Sequence, residues 1–122
     1  MEPNFIILYV KDPAASAAFY SRLLNRPVLE ASPNFAVVNL NPGTTLGLWD
    51  AEDVDPKPKF GTGFSTELCF PAESDTEVDN VHASWSGQTD IAQAPVRKEF
   101  GYTFVATDPD GHRLRVLHGP AE

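Results

Sequence analysis

Phe104–Leu117 reads FVATDPDGHRLRVL: a strand, a tight turn and a second strand. Val105 belongs to the incoming strand. Asp108-Pro109-Asp110-Gly111 sets Pro at the first central position of a turn and Gly where positive φ costs least. Beyond it, Leu114 and Val116 alternate with Arg113 and Arg115, the pattern of a half-buried outgoing strand. The face that Arg115 shares is where function is expected to lie. Taken alone, DPDG is a hairpin turn and nothing more; the rest of the chain gives it weight.

The chain has 122 residues, enough to bury a core without disulfides or a structural metal. Nine Lys and Arg stand against 17 Asp and Glu, a formal charge of −8. That balance argues against nucleic acid and against an anionic membrane surface as partners. The one cysteine, Cys69, cannot form an internal bridge, which suits a reducing cytoplasm. Phe5–Val10 is too short an apolar run to span a bilayer, and the Met1-Glu2-Pro3 start is unlike a signal peptide. A cytoplasmic location is the expectation.

Outward from the closing hairpin, the chain reads as one supersecondary unit used twice at a period of about sixty residues. Phe5-Ile6-Ile7-Leu8-Tyr9-Val10 is apolar on both faces, as a strand covered on both sides would be. Asp12 caps a helix with Pro13 at its first position, and Ala15, Phe19 and Leu23 recur along the face expected to lie on a sheet. The helix ends near Asn25. Three strands follow, over Pro27–Glu30, Phe35–Leu40 and Thr45–Trp49, separated by Ser32-Pro33-Asn34 and Asn41-Pro42-Gly43. Residues 51–62 hold Pro56, Pro58 and Gly61 without periodicity and read as a linker. The order then repeats: a strand over Ser65–Phe70, a helix capped by Asp75 with Val78, Val81 and Trp85 on its core face, and strands over Ile91–Val96, Tyr102–Thr107 and His112–His118. The fold class is α+β: one domain, residues 1–122, of two tandem βαβββ modules (about 1–50 and 63–119).

These elements resemble a known family. FIILYVKDPAASAAFYSRLL is similar to the opening strand, Asp cap and helix of the vicinal oxygen chelate superfamily, also called the glyoxalase, bleomycin-resistance and dioxygenase superfamily. DPDGHRLRVL is similar to that superfamily's last hairpin. The resemblance implies two curved mixed sheets around a cleft. In metal-dependent members, four positions supply ligands, and these fall here at Phe5, Gly47, Glu67 or a neighbour, and Arg115. Only Glu67 is a donor that a divalent cation accepts, and a guanidinium in the fourth place repels one. No metal and no other cofactor is expected. His82, His112 and His118 show no ligand spacing on one face and read as surface or edge histidines. Cys69 reads as a small core residue, or as a thiol sharing a cavity face with Glu67. No nucleophile stands beside a base, and an enzyme is the less favoured reading.

What remains is a set of aromatic and charged side chains. Phe5, Ile7 and Phe35 offer apolar contact, and Trp49 a ring to stack on, with Gly47 leaving room beside it. Glu67 and Arg115 read either as a structural ion pair filling the vacated metal position or as polar groups that orient a ligand. Trp85, at helical spacing with Val78 and Val81, reads as core. Within the superfamily the chain is similar to a metal-free phenazine-resistance branch, in its LYV and FY pairs, in Trp49, in Gly101-Tyr102-Thr103-Phe104 and in DPDGH followed by Arg115-Val116. That resemblance implies sequestration of a small, planar aromatic molecule, and a homodimer with sites near the interface. The rival from another class is a lyase, isomerase or hydrolase with Glu67 as general base, for which Glu67 needs a raised pKa, or a metal-dependent glyoxalase-like enzyme.

Overall fold

The computed structural model describes residues 2–56 and 66–119. The chain divides into two compact units, Met1–Thr62 and Gly63–Glu122. The first contains β1 (Phe5–Val10), α1 (Pro13–Leu24), β2 (Val28–Ala31), β3 (Phe35–Asn41) and β4 (Thr44–Asp50); the second contains β5 (Glu67–Pro71), α2 (Asp75–Ser86), β6 (Asp90–Lys98), β7 (Gly101–Thr107) and β8 (Arg113–His118). Each unit is βαβββ and forms one four-stranded mixed sheet, in the orders β1-β4-β3-β2 and β5-β8-β7-β6. The fold class is the α+β one expected. In each unit the outermost pair is parallel, β1 with β4 and β5 with β8, while the other strands pair antiparallel.

The period-2 pattern sorts each sheet into two faces. In the first unit Leu8, Val10, Ala36, Val38, Leu46 and Leu48 are buried on the face that α1 covers. Asp12 caps α1, its carboxylate accepting from the Ala15 N–H at 3.1 Å, with Pro13 at the first position. Asn25 ends the helix at φ 54°, the left-handed conformation that a helix stop favours. The buried stripe of α1 is not the four-residue series expected. Ala15 is exposed, whereas Ser16, Ala17 and the fully buried Tyr20 join Phe19 and Leu23, because a face of 3.6-residue period takes three- and four-residue steps in turn.

In the second unit Trp85 is core, as expected. It is wedged edge-on between Phe70 and Phe104, with centroids 5.7 and 5.6 Å away. Two expectations about α2 are corrected. Ser74 rather than Asp75 is the cap, its hydroxyl accepting from the Glu77 N–H at 3.0 Å, and Asp75 lies in the first turn, where its charge complements the helix dipole. His82 is not turned to an edge but meets the Phe104 ring at 5.2 Å.

Pro95 is tolerated inside β6 because that strand lies at the sheet edge and its register shifts between Gln93 and Val96. Asp50, next to the expected linker, still belongs to β4. In the expected linker Val54 is buried, while residues 57–62, with the expected strand start at Ser65, lie outside the described residues.

The DPDG turn holds β7 to β8. Asp108 is buried, its Oδ1 accepting from the Asp110 and His112 N–H groups at 2.9 and 2.8 Å, while the Gly111 N–H donates to the Asp108 carbonyl at 3.0 Å. Gly111 has φ 90°, which a side chain would resist. Among the described residues no helix is long and apolar enough to cross a membrane.

Candidate functional site

Opposite its helix, each sheet presents a second face, and the sequence-derived site residues lie on these faces. In the first unit, Phe5, Ile7 and Tyr9 point to that side of β1, in register with Thr45, Gly47 and Trp49 of β4; Phe35 of β3 pairs with Trp49 in turn. Phe5, Ile7 and Tyr9, on the edge strand β1, are 44%, 43% and 38% exposed, which is high for large apolar groups. The rings form a chain of contacts: Phe5 to Phe35 at 6.3 Å, Phe35 to Trp49 at 6.2 Å and Trp49 to Tyr9 at 6.4 Å. These tilted and edge-to-face arrangements are the ones aromatic quadrupoles prefer.

Gly47 works differently from the expectation of open space beside Trp49. A Cβ there would stand 2.5 Å from Phe5 Cε1 and 2.9 Å from Phe35 Cζ. The room left by the missing side chain is filled by two ring edges of the protein itself. The unit thus brings Phe5, Ile7, Phe35, Gly47 and Trp49 together. Tyr9, on the same face of β1 as Phe5 and Ile7, stands beside Trp49 through the parallel β1–β4 register.

In the second unit the corresponding face is polar. Arg115 Nε and Nη2 donate to Glu67 Oε2 and Oε1 at 2.9 and 3.2 Å, a two-pronged pair, and Nη1 donates to Thr103 Oγ1 at 3.2 Å. The Phe100 ring lies over the guanidinium at 5.5 Å. The hydrogen bond from Arg115 holds the Glu67 carboxyl below its ordinary value, against partial burial and with help from the charges of Arg115 and Arg113; the same bond raises Arg115. Cys69 is in register with Arg115 and is exposed, so the core reading is corrected: strand alternation carries its side chain to the Glu67 face. Partial burial pushes its thiol up, opposed by Arg115, so nothing here activates it as a nucleophile.

The donor set does not fit a divalent metal. Of the four positions that the resemblance assigns to ligands, Phe5, Gly47 and Arg115 offer no donor a cation takes, and both oxygens of Glu67 already accept from Arg115. Among the described residues no three His, Cys, Asp or Glu side chains gather into a metal-binding group.

One polar cluster is not anticipated by sequence reasoning. Asp75 accepts from Arg97 and meets His118 Nδ1 at 2.8 Å, Tyr102 donates to Asp79 at 2.7 Å, and Arg97 lies over the Tyr102 ring at 5.0 Å. It ties the start of α2 to β6, β7 and β8, and strand pairing between Tyr102 and His118 is what assembles it. Arg97 and His118 hold the Asp75 carboxyl below its usual range. A cavity of about 180 Å³ opens beside it, between Arg97, Gly101 and His118.

With fold and geometry in place, comparison with known proteins gives the class. The chain matches the model of the Glyoxalase/Bleomycin resistance protein/Dioxygenase superfamily over residues 3–116 and belongs to that superfamily. Within it, the chain is similar to the phenazine antibiotic resistance protein EhpR of Enterobacter agglomerans, at 25% identity over 120 residues covering 93% of this chain and 89% of that protein. Among solved structures it resembles protein ATC0852 of Agrobacterium tumefaciens, at 44% identity, TM-score 0.84 and 99% coverage of both chains. It shares its fold with a glyoxalase/bleomycin resistance protein/dioxygenase family enzyme of Burkholderia phytofirmans, at 18% identity and TM-score 0.80, covering 96% of this chain and 98% of that one.

Proposed function

We propose that this protein is a metal-free binder that sequesters a small planar aromatic molecule of the phenazine type, as a cytoplasmic homodimer. The observation that carries this reading is the exposed aromatic face of the first unit, where Trp49, Tyr9, Phe35, Phe5 and Ile7 meet around Gly47. Rings held edge-on to one another leave faces on which a flat ligand stacks. The likeness to EhpR supports the ligand class. Exposed Val28 and Leu29 on the edge strand add apolar surface that a second copy of the chain would cover.

The acid–base alternative needs a Glu67 that is easily protonated. Instead its carboxylate is held ionised by Arg115, which makes it a weak general base near neutral pH.

The test is a tryptophan-emission titration of the wild type and Trp49→Phe with phenazines, quinones and bleomycin-type glycopeptides, with and without EDTA. Saturable micromolar quenching by the planar ligands that survives EDTA and weakens in Trp49→Phe is expected. Binding only with added metal, or to none of the panel, would sink the reading. Light scattering on the eluting peak from size exclusion reports the dimer.

A further inference from the structure

Apart from the aromatic face, we infer that the second unit carries a separate site for a small tetrahedral oxyanion, in the cavity between Arg97, Lys98 and His118. The cavity holds about 180 Å³ and is lined by Arg97, Lys98, Glu99, Gly101, His118 and Gly119. That is several times the ~30 Å³ share of one water, yet short of the roughly 300 Å³ at which sites for drug-sized ligands begin. Its size suits a sulfate ion or a phosphate group rather than a flat tricyclic molecule. It also stands apart from the Glu67–Arg115 pair. Strand alternation puts His118 on the opposite side of β8 from Arg115, and His118, Arg97 and Tyr102 all reach acids of α2.

Three of the lining side chains are basic and one is acidic. Arg97 is held by Asp75 and lies over the Tyr102 ring, which fixes the guanidinium without using all of its N–H donors. Lys98 is exposed and forms no hydrogen bond, ion pair or ring contact among the described residues, so its ammonium is unspent. Gly101 and Gly119 put no side chain into the space. Gly101 can be nothing larger, since a Cβ there would stand 2.3 Å from the His118 carbonyl oxygen.

His118 makes the site conditional on pH. Its Nδ1 stands 2.8 Å from Asp75 Oδ1. His118 and Arg97 hold the Asp75 carboxyl below its usual range, so it is ionised and can only accept; Nδ1 therefore carries a proton. Nε2 is the ring atom left for the cavity. In the neutral ring it is a lone pair, which repels an anion, and in the imidazolium it is a third donor beside Arg97 and Lys98. The other ionisable groups around the ring are Asp75 and Asp79 of α2, Arg97 and Lys98 of β6, Glu99 of the following turn and Tyr102 of β7, while β5 puts Glu67 and Cys69 on the other face. With the ring charged, donors from three side chains outweigh Glu99 and match an ion with three or more oxygens better than a planar carboxylate. Anion affinity should rise as pH falls through the histidine range, and by reciprocity the anion should raise the His118 midpoint.

The experiment follows the His118 ring by NMR through a pH titration of the full chain, in sodium sulfate or in sodium chloride of equal ionic strength. Sulfate should raise the His118 midpoint by about half a pH unit, a roughly threefold preference for the imidazolium form, and leave His82 and His112 unmoved. Lys98→Gln, which removes no contact of the fold, should abolish most of that rise, and Lys98→Arg should keep it. Inorganic phosphate and glycerol 3-phosphate, followed through the Gly101 and Gly119 amides at mildly acidic pH, distinguish the sources: tighter binding of the ester means a phosphorylated metabolite, tighter binding of the free ion an inorganic anion. Equal His118 midpoints in the two salts, a rise shared by all three histidines, or a rise that survives Lys98→Gln overturns the inference, whatever the aromatic face binds.

Discussion

The two units share one topology and spend it in opposite ways. In the first, the parallel β1–β4 pair sets Ile7 beside Gly47; in the second, the β5–β8 pair sets Cys69 beside Arg115 at the corresponding place. Around Gly47 the neighbours are rings, and around Arg115 they are a carboxylate, a hydroxyl and one ring. The helices match as well. Leu23 and Trp85 lie the same distance past their N-caps and both are buried. Topology and this helix anchor therefore correspond between the units, while the faces away from the helices differ in chemistry.

Substitutions can break this correspondence at different depths. Removing the core anchor of either unit should cost most. Trp85→Ala empties the space between Phe70 and Phe104 and should lower stability by about 4 kcal/mol, with Leu23→Ala losing about 3 kcal/mol; urea unfolding followed by circular dichroism reads both. A larger loss from Leu23 would mean that the helices do not carry equivalent loads.

The glycines should differ next. Gly101 has φ 141°, and a Cβ there would stand 2.3 Å from the His118 carbonyl oxygen, a backbone atom held in the β7–β8 ladder. Gly101→Ala should therefore lose about 3 kcal/mol. In Gly47→Ala the nearest atoms are the ring edges of Phe5 and Phe35, and Phe5 is free to swing into solvent. A loss below about 1 kcal/mol is expected there, with a changed aromatic circular-dichroism signal.

Between those two falls the ion pair. Glu67 titrates below its ordinary 4.5 when folded, so the pair stabilises above that pH and the stabilisation fades as pH falls through the lower folded value. Glu67 is 34% exposed, so solvent screens the pair. Glu67→Gln should cost only about 1 kcal/mol near neutral pH, a gap that closes on acidification. A gap independent of pH would mean that packing rather than charge holds Arg115.

Much of this was legible in the chain. The period-2 strands, the Asp12 cap with Pro13 behind it, and the DPDG turn are local signals, and each states its structure through the conformations its own residues allow. Legible too was the sharing of faces: Phe5, Ile7, Phe35 and Trp49 lie on one, as do Glu67 and Arg115 on another, because alternation fixes which side a strand residue takes. Tyr9 as a partner of Trp49, the filling of the space over Gly47, and the Asp75–His118–Arg97 cluster were not legible. Each depends on which residues of separate strands stand in register, and no local preference encodes that.

The sequence by itself determined the duplicated βαβββ order, the turns and the cap of the first helix, since these follow from residue type and spacing. Only the tertiary structure decided that Arg115 is spent on Glu67 while Arg113 is not, and that Gly47 seats protein rings. The reason is that both arginines occupy the same face of one strand with the same charge. What separates them is a hydrogen-bond geometry that exists only once β5 has paired with β8.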